Sequence, residues 1–247
     1  MCIHYLYGLH GLTSIVQSLS SILNLAKIST ATPEQVSALW LAYHAALSDG
    51  TGRGYLCASV PIKLYEKMAA AGSKYPTFVI PLARPPSEIV DPATAGEIPY
   101  EFFFVEWTFH NVPASLPAPD ADPFTAANLP PSTNPQVSAV LFTPLQEYKM
   151  RQSFATPYLA LTHHTDLVES HGLVLLRGEM TPSSASALGD GQFMLSQADG
   201  QRLSLALQKF YLWNADGKAE ELLKTFHENP AEFKWEDLLE YDKATVV

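Results

Sequence analysis

Charge is scarce in this sequence, and most of what there is carries one sign. Only 16% of the 247 residues are Asp, Glu, Lys or Arg, and the formal balance is −10; ordinary soluble domains carry about 25% charged residues. Nucleic acids and anionic membranes are bound chiefly through Lys and Arg that neutralise phosphate, so an acidic chain with no basic cluster argues against both. Cysteine is nearly missing too. Cys2 and Cys57 are the only two, which leaves neither a disulfide framework nor a C-x-x-C site and fits a reducing compartment. No apolar run reaches the roughly 18 residues that a membrane-spanning helix needs, so no membrane insertion is expected. The first thirty residues hold one Lys and no Arg, a composition that matches neither a signal peptide nor an Arg-rich presequence.

Catalytic signatures are also missing. There is no G-x-S-x-G elbow, no H-E-x-x-H helix and no G-x-x-x-x-G-K-[ST] loop, and the glycines from Gly50 to Gly54 lack the Lys of a phosphate cradle. The densest group of potential ligands is His163, His164, Asp166, Glu169 and His171. In an extended strand His163 and His164 point to opposite faces and cannot grip one ion without a bulge. The segment therefore reads as a strand end and a turn with partly exposed histidines. Glu101 and Glu106 also differ in parity, which makes them a poor acid and base pair and suits a solvated strand edge. No catalytic residue, cofactor or metal is assigned. Two alternatives stand beside this: a metal-dependent enzyme using His163, Asp166 and His171, and a small-molecule carrier with a deep apolar pocket between sheet and helices.

What the chain does have is apolar patterning. Thr32-Pro33-Glu34-Gln35 opens a helix, with Thr32 as cap, Pro33 in the first turn and Gln35 at the reciprocal position. Val36, Leu39, Trp40 and Tyr43 follow at helical spacing, so this helix should bury Trp40. Strands are expected over 55–60, 76–83, 100–110, 137–143, 158–165 and 173–180. Further helices are expected from Pro61 to a stop at Gly72 and over 145–152, 201–211, 219–227 and 231–241. No regular strand-helix-strand repeat emerges, which points to an α+β fold with a mostly antiparallel sheet of about five to six strands and helices packed around it. A single domain is expected over 19–241, between a poorly ordered start (1–18) and a short tail (242–247). Prolines at 113, 117, 119, 123, 130, 131 and 135 make 111–136 a disordered surface insertion. A weaker loop of the same kind is expected over 85–99.

The most hydrophobic run is EFFFVEWTFH, from Glu101 to His110. Period-two counting puts Phe103, Val105, Trp107 and Phe109 on one face and Phe102, Phe104, Glu106 and Thr108 on the other, so both faces carry aromatics. Either helices cover both faces, or one face is open and meets a partner. Phe102, Phe104 and Tyr148 are the residues selected as partner contacts.

Several segments carry a resemblance. LSSILNLAKI (19–28), the Trp40 helix, YPTFVIPLAR (75–84), EFFFVEWTF (101–109), the stretch 141–180, LALQKFY (205–211) and LLKTFHENPAEFKWEDLL (222–239) resemble, in the same order, the mitochondrial ATP synthase F1 complex assembly factors that chaperone the beta subunit. The resemblance implies an α+β, non-enzymatic, monomeric protein of the mitochondrial matrix. It would bind the unassembled beta subunit of ATP synthase, prevent its aggregation and pass it to the alpha subunit. That family carries a presequence and a further polar stretch where this chain has Met1 to Gln17, and its compact members lack the Pro-rich insertion.

Overall fold

A strand that is apolar on both faces has to be covered on both, and this requirement organises the molecule. In the computed structural model, which describes residues 17–84, 99–111, 136–183, 192–213 and 217–244, six strands form one antiparallel sheet. They are β1 (Tyr55–Pro61), β2 (Thr77–Ala83), β3 (Tyr100–Asn111), β4 (Gln136–Pro144), β5 (Leu159–His164) and β6 (Leu173–Met180), in the spatial order β1-β6-β5-β4-β3-β2. Helices among the described residues are α1 (Leu19–Ile22), α2 (Leu25–Ile28), α3 (Pro33–Gly50), α4 (Ile62–Lys74), α5 (Leu145–Arg151), α6 (Val168–His171), α7 (Gln197–Tyr211), α8 (Lys218–Glu228) and α9 (Trp235–Ala244). The fold is α+β, as the mixed patterning implies.

Register places the apolar side chains. Val105 sits opposite Phe78 on β2 and Phe142 on β4, and Phe142 in turn sits opposite Leu159 on β5. These side chains share one face with Ile80, Phe103 and Trp107, under α4, α7, α8 and α9; Phe78 meets Phe210 of α7 and Phe226 of α8 at ring-centroid distances of 5.1 and 5.4 Å. Each such side chain removed from water contributes about 1.5–3 kcal/mol. The opposite face is covered at the β1-β6-β5 side by α3 and the short helices α1 and α2, which bury Leu19, Ile28, Val36 and Trp40 against Leu175 and Leu167.

The start of α3 forms as its sequence dictates. Thr32 accepts from Gln35 N at 3.3 Å while Gln35 Oε1 accepts from Thr32 N at 2.9 Å, a reciprocal cap. Trp40 is fully buried and donates Nε1–H to Leu176 O at 2.9 Å. Leu39, expected on the buried stripe, is exposed, and His44 takes the inward place one turn after Trp40. Leu145–Arg151 matches the expected helix, whereas α7 begins at Gln197, earlier than expected, because Ser196 Oγ accepts from Asp199 N. Asn111 and Gln136 pair across β3 and β4; the Pro-rich segment between them, most of the 85–99 loop and residues 1–16 lie outside the described residues.

Gly72 does not stop its helix. It lies inside α4, where a Cβ would stand 2.5 Å from Trp107 Cδ2. Gly200 is close only to the terminal methyl of Met180, 2.3 Å from the position of a Cβ, and that flexible end can move. Gly72→Ala is therefore expected to lower unfolding free energy by about 1–3 kcal/mol through overpacking, and Gly200→Ala by much less. Urea titration of both variants checks this; equal losses would contradict the packing described.

Candidate functional site

The side of the sheet opposite α7 is not evenly covered. Phe102, Phe104 and Glu106 project there from β3, and at this end the cover is α5, which follows β4 directly after Pro144. The Tyr148 ring of α5 lies over Phe104, 4.2 Å between centroids and tilted by 32°. The structure thus brings Phe104 and Tyr148 into contact and sets Phe102 on the same strand face; all three are half-buried. A cleft of about 960 Å³ beside α5 is lined by apolar Phe102, Leu145, Met150, Tyr158 and Met194 and by charged Glu101, Glu147, Lys149 and Arg151. Its rim is held by Arg84, which donates Nε–H to Glu101 at 2.9 Å and Nη1–H to Asp199 of α7 at 2.6 Å.

Beyond α5 the chain leaves ordinary geometry. Gln152 has φ 55° and ψ −128°, a conformation that costs a non-glycine residue on the order of 1–3 kcal/mol. The turn Gln152–Phe154 then projects Phe154, 86% exposed, next to Met150, 71% exposed. These two are the most exposed large apolar side chains among the described residues. Sequence reasoning passed over both. The signal was present, because with Leu145 and Tyr148 facing inward, Met150 falls off the buried stripe and Phe154 follows the helix end.

Glu106 is not on a solvated edge. β3 lies between β2 and β4, and burial raises the Glu106 carboxyl above the usual range. Tyr148 is raised by burial and, next, by Glu106. Glu101 faces the other way and is bound to Arg84, so the two carboxylates do not converge.

The histidines do point to opposite faces, but both are fully buried and not partly exposed. The reason is that β5 is interior to a sheet covered on both sides here. His163 stacks on Trp107, 5.8 Å between centroids, and lies 3.1 Å from Ser138 Oγ; His164 lies under Trp40 at 6.1 Å. Desolvation, then repulsion from His164, lowers His163 to about 3. Desolvation, then repulsion from Arg177 and His44, lowers His164 to about 4. His171 Nε2–H donates to Ile28 O and Ala31 O at 3.2 and 3.1 Å, tying α6 to α2. Among the described residues no three His, Cys, Asp or Glu side chains are placed to hold a metal ion.

Sheet, partial cover and exposed side chains together describe an α+β protein that presents Met150 and Phe154 to solvent at and just past the end of α5, beside a cleft of mixed lining. The chain belongs to the ATP11 protein family, whose profile matches residues 10–239. It is 28% identical over 206 residues to "Protein atp11, mitochondrial" of Schizosaccharomyces pombe, covering 83% of this chain and 54% of that protein. It is 25% identical over 219 residues to "ATP synthase mitochondrial F1 complex assembly factor 1" of Homo sapiens, covering 89% of this chain and 49% of that protein. The mouse protein of the same name is 23% identical over 219 residues, with 89% and 50% covered. The chain thus spans about half the length of the curated relatives it matches.

The buried histidines give a pH signature. Both pKa values are depressed in the folded state, so between about 4 and the ordinary value of roughly 6.5 the unfolded chain binds more protons than the folded one. Their contribution is complete above roughly pH 6.5 and is lost as pH falls, at up to about 1.4 kcal/mol per pH unit for each histidine. Glu106 and Asp166, both raised by burial, act in the opposite sense, so the test is a difference. A His163→Phe, His164→Phe variant is expected to show a shallower fall in denaturant stability from pH 7 to 5 than the wild type. Parallel curves would contradict the assignment.

Proposed function

We propose that this chain is an assembly chaperone that binds the unassembled beta subunit of mitochondrial ATP synthase. It prevents aggregation of that subunit in the matrix and passes it to the alpha subunit as the F1 catalytic sector is built. No bond is made or broken in this role. Membership of the ATP11 family and the names of the human and mouse relatives support the F1 complex as the setting.

The observation that carries the reading is the apolar surface beside α5. Met150 stands in water at the end of α5 and shares the cleft lining with Phe102, and Phe154 stands in water just past the helix; exposed apolar side chains of this size mark contact with another protein. A beta subunit without its neighbours exposes apolar interface, and a chaperone that covers it has to let go when the proper partner arrives. A shallow surface with few anchors fits a client that must be released. Phe102, Phe104 and Tyr148 shape this surface, and Met150 and Phe154 are the anchors, the kind of side chain that dominates an interface.

Isolated beta subunit mixed with this protein is expected to stay soluble and to co-elute with it, and added alpha subunit is expected to displace it. Met150→Asp with Phe154→Asp should weaken that complex about tenfold or more, the loss of roughly 1.4 kcal/mol or more expected of a truncated hot spot, with no change in thermal midpoint. Wild-type protein that neither binds nor protects beta would reject the proposal.

A further inference from the structure

A single residue separates α5 from the turn that carries Phe154. Arg151, the last residue of α5, has φ −114° and ψ −13°, and the Gln152 amide still closes a helical bond to Tyr148 O. Gln152 itself, at φ 55° and ψ −128°, takes the first-corner geometry of a type II′ turn, a place that glycine normally fills. Helical geometry then resumes in the 3-10 turn Gln152–Phe154, where Ala155 N–H donates to Gln152 O at 3.0 Å. Two other non-glycine residues among those described have positive φ, Ser48 and Asp49, and both sit in the ordinary left-handed well with ψ 54° and 37°. Gln152 lies outside that well.

The side chains on either side of this break are in helical register. Met150 and Phe154 are four residues apart, and on a continuous helix such a pair shares one face with Cβ atoms about 5–6 Å apart. Gln152 would take the inward place one turn after the half-buried Tyr148, itself one turn after Leu145. The flanking chain permits this. A helix over Leu145–Phe154 would be about 15 Å long, and it begins next to β4, whose Phe142 pairs with Leu159. The chain from Phe154 back to Leu159 reaches up to about 17 Å. That return is already extended at Ala155, φ −68° and ψ 138°, and Pro157 keeps Thr156 extended.

We propose that the turn at Gln152 is a two-state element of the client surface: in the free protein it holds Phe154 off the line of α5, and when the unassembled beta subunit binds, Gln152 becomes helical, α5 continues through Phe154, and Met150 and Phe154 close into one apolar ridge beside the cleft. The two states oppose different costs. Continuity removes the strain at Gln152 and adds helical bonds from Ser153 N to Lys149 O and from Phe154 N to Met150 O, but it draws the return to Leu159 nearly taut, at a cost in chain entropy. The turn does the reverse. A client tips this balance by as much as it prefers the continuous ridge, and two anchors on one helix face are the form in which a helix meets an apolar partner. The switch rests on the proposed role in binding beta and concerns how the same surface changes when it is occupied.

Two variants and one resonance of the whole chain test it. Gln152→Gly accepts the turn without strain, so it should raise the thermal midpoint of the free protein by about 2–4 °C. It should also weaken binding of isolated beta subunit about tenfold, because the conformation it favours is the one that binding gives up. Gln152→Ala keeps the Cβ and loses only the side-chain amide, and should bind like the wild type. In the complex the Cα carbon resonance of labelled Gln152 should move to the helical range. If the complex keeps the turn, relief of strain cancels between free and bound protein; wild-type affinity of Gln152→Gly, or an unmoved Gln152 resonance, would therefore overturn the switch and leave the chaperone role standing. Equal losses in the Gly and Ala variants would make the Gln152 side chain a plain contact, and an unchanged or lower thermal midpoint of Gln152→Gly would remove the strain; either result overturns the switch. Wild-type protein with no affinity for beta would overturn both.

Discussion

The structure depends on the two-sided strand β3. Its odd-numbered residues Phe103, Val105 and Trp107 require a complete apolar cover, and α7 with its neighbouring helices supplies it. Its even-numbered residues Phe102 and Phe104 require a second cover, and among the described residues the seven-residue helix α5 lies over Phe104 at that end. A sheet finished on one side and economically covered on the other keeps apolar material near the surface without losing its core. The two most exposed of these side chains among the described residues, Met150 and Phe154, stand on short elements on either side of the strained Gln152.

The same economy appears at the edges. Exposed strand edges invite pairing with other chains, and natural sheets guard them. β2 is guarded by Pro81 and by His227, which donates to Thr77 O, and β1 by Pro61 and by Gln197, which donates to Tyr55 O. For the proposed client, contacts beside α5 do not need the deep complementarity of a permanent interface, which suits a partner that is later handed on.

Most of the fold could be read from residue order. The strands followed from alternation and apolar runs, and the cap at Thr32 and Gln35 placed α3 and the burial of Trp40. Errors arose where three-dimensional packing decides. Gly72 looks like a helix stop in one dimension but makes room for Trp107, which is distant in sequence. His163 and His164 look like a polar strand end, yet their strand lies inside the sheet, and strand order is not visible in a single sequence. Phe104 and Tyr148, selected from the sequence as partner contacts, pack against each other, because an aromatic on the second strand face needs something over it. Met150, Phe154 and Leu41 were passed over because their exposure depends on where each helix sits, which periodicity gives only as a relative angle.

The proposed recognition of the beta subunit is apolar and not electrostatic, and its test is calorimetric titration of isolated beta subunit into this protein across temperature and salt. Burial of apolar surface predicts a clearly negative heat-capacity change of binding, with an affinity that hardly moves as salt rises from low to high concentration. A heat-capacity change near zero with an affinity that collapses in salt, or no heat of binding at any temperature, would contradict the account.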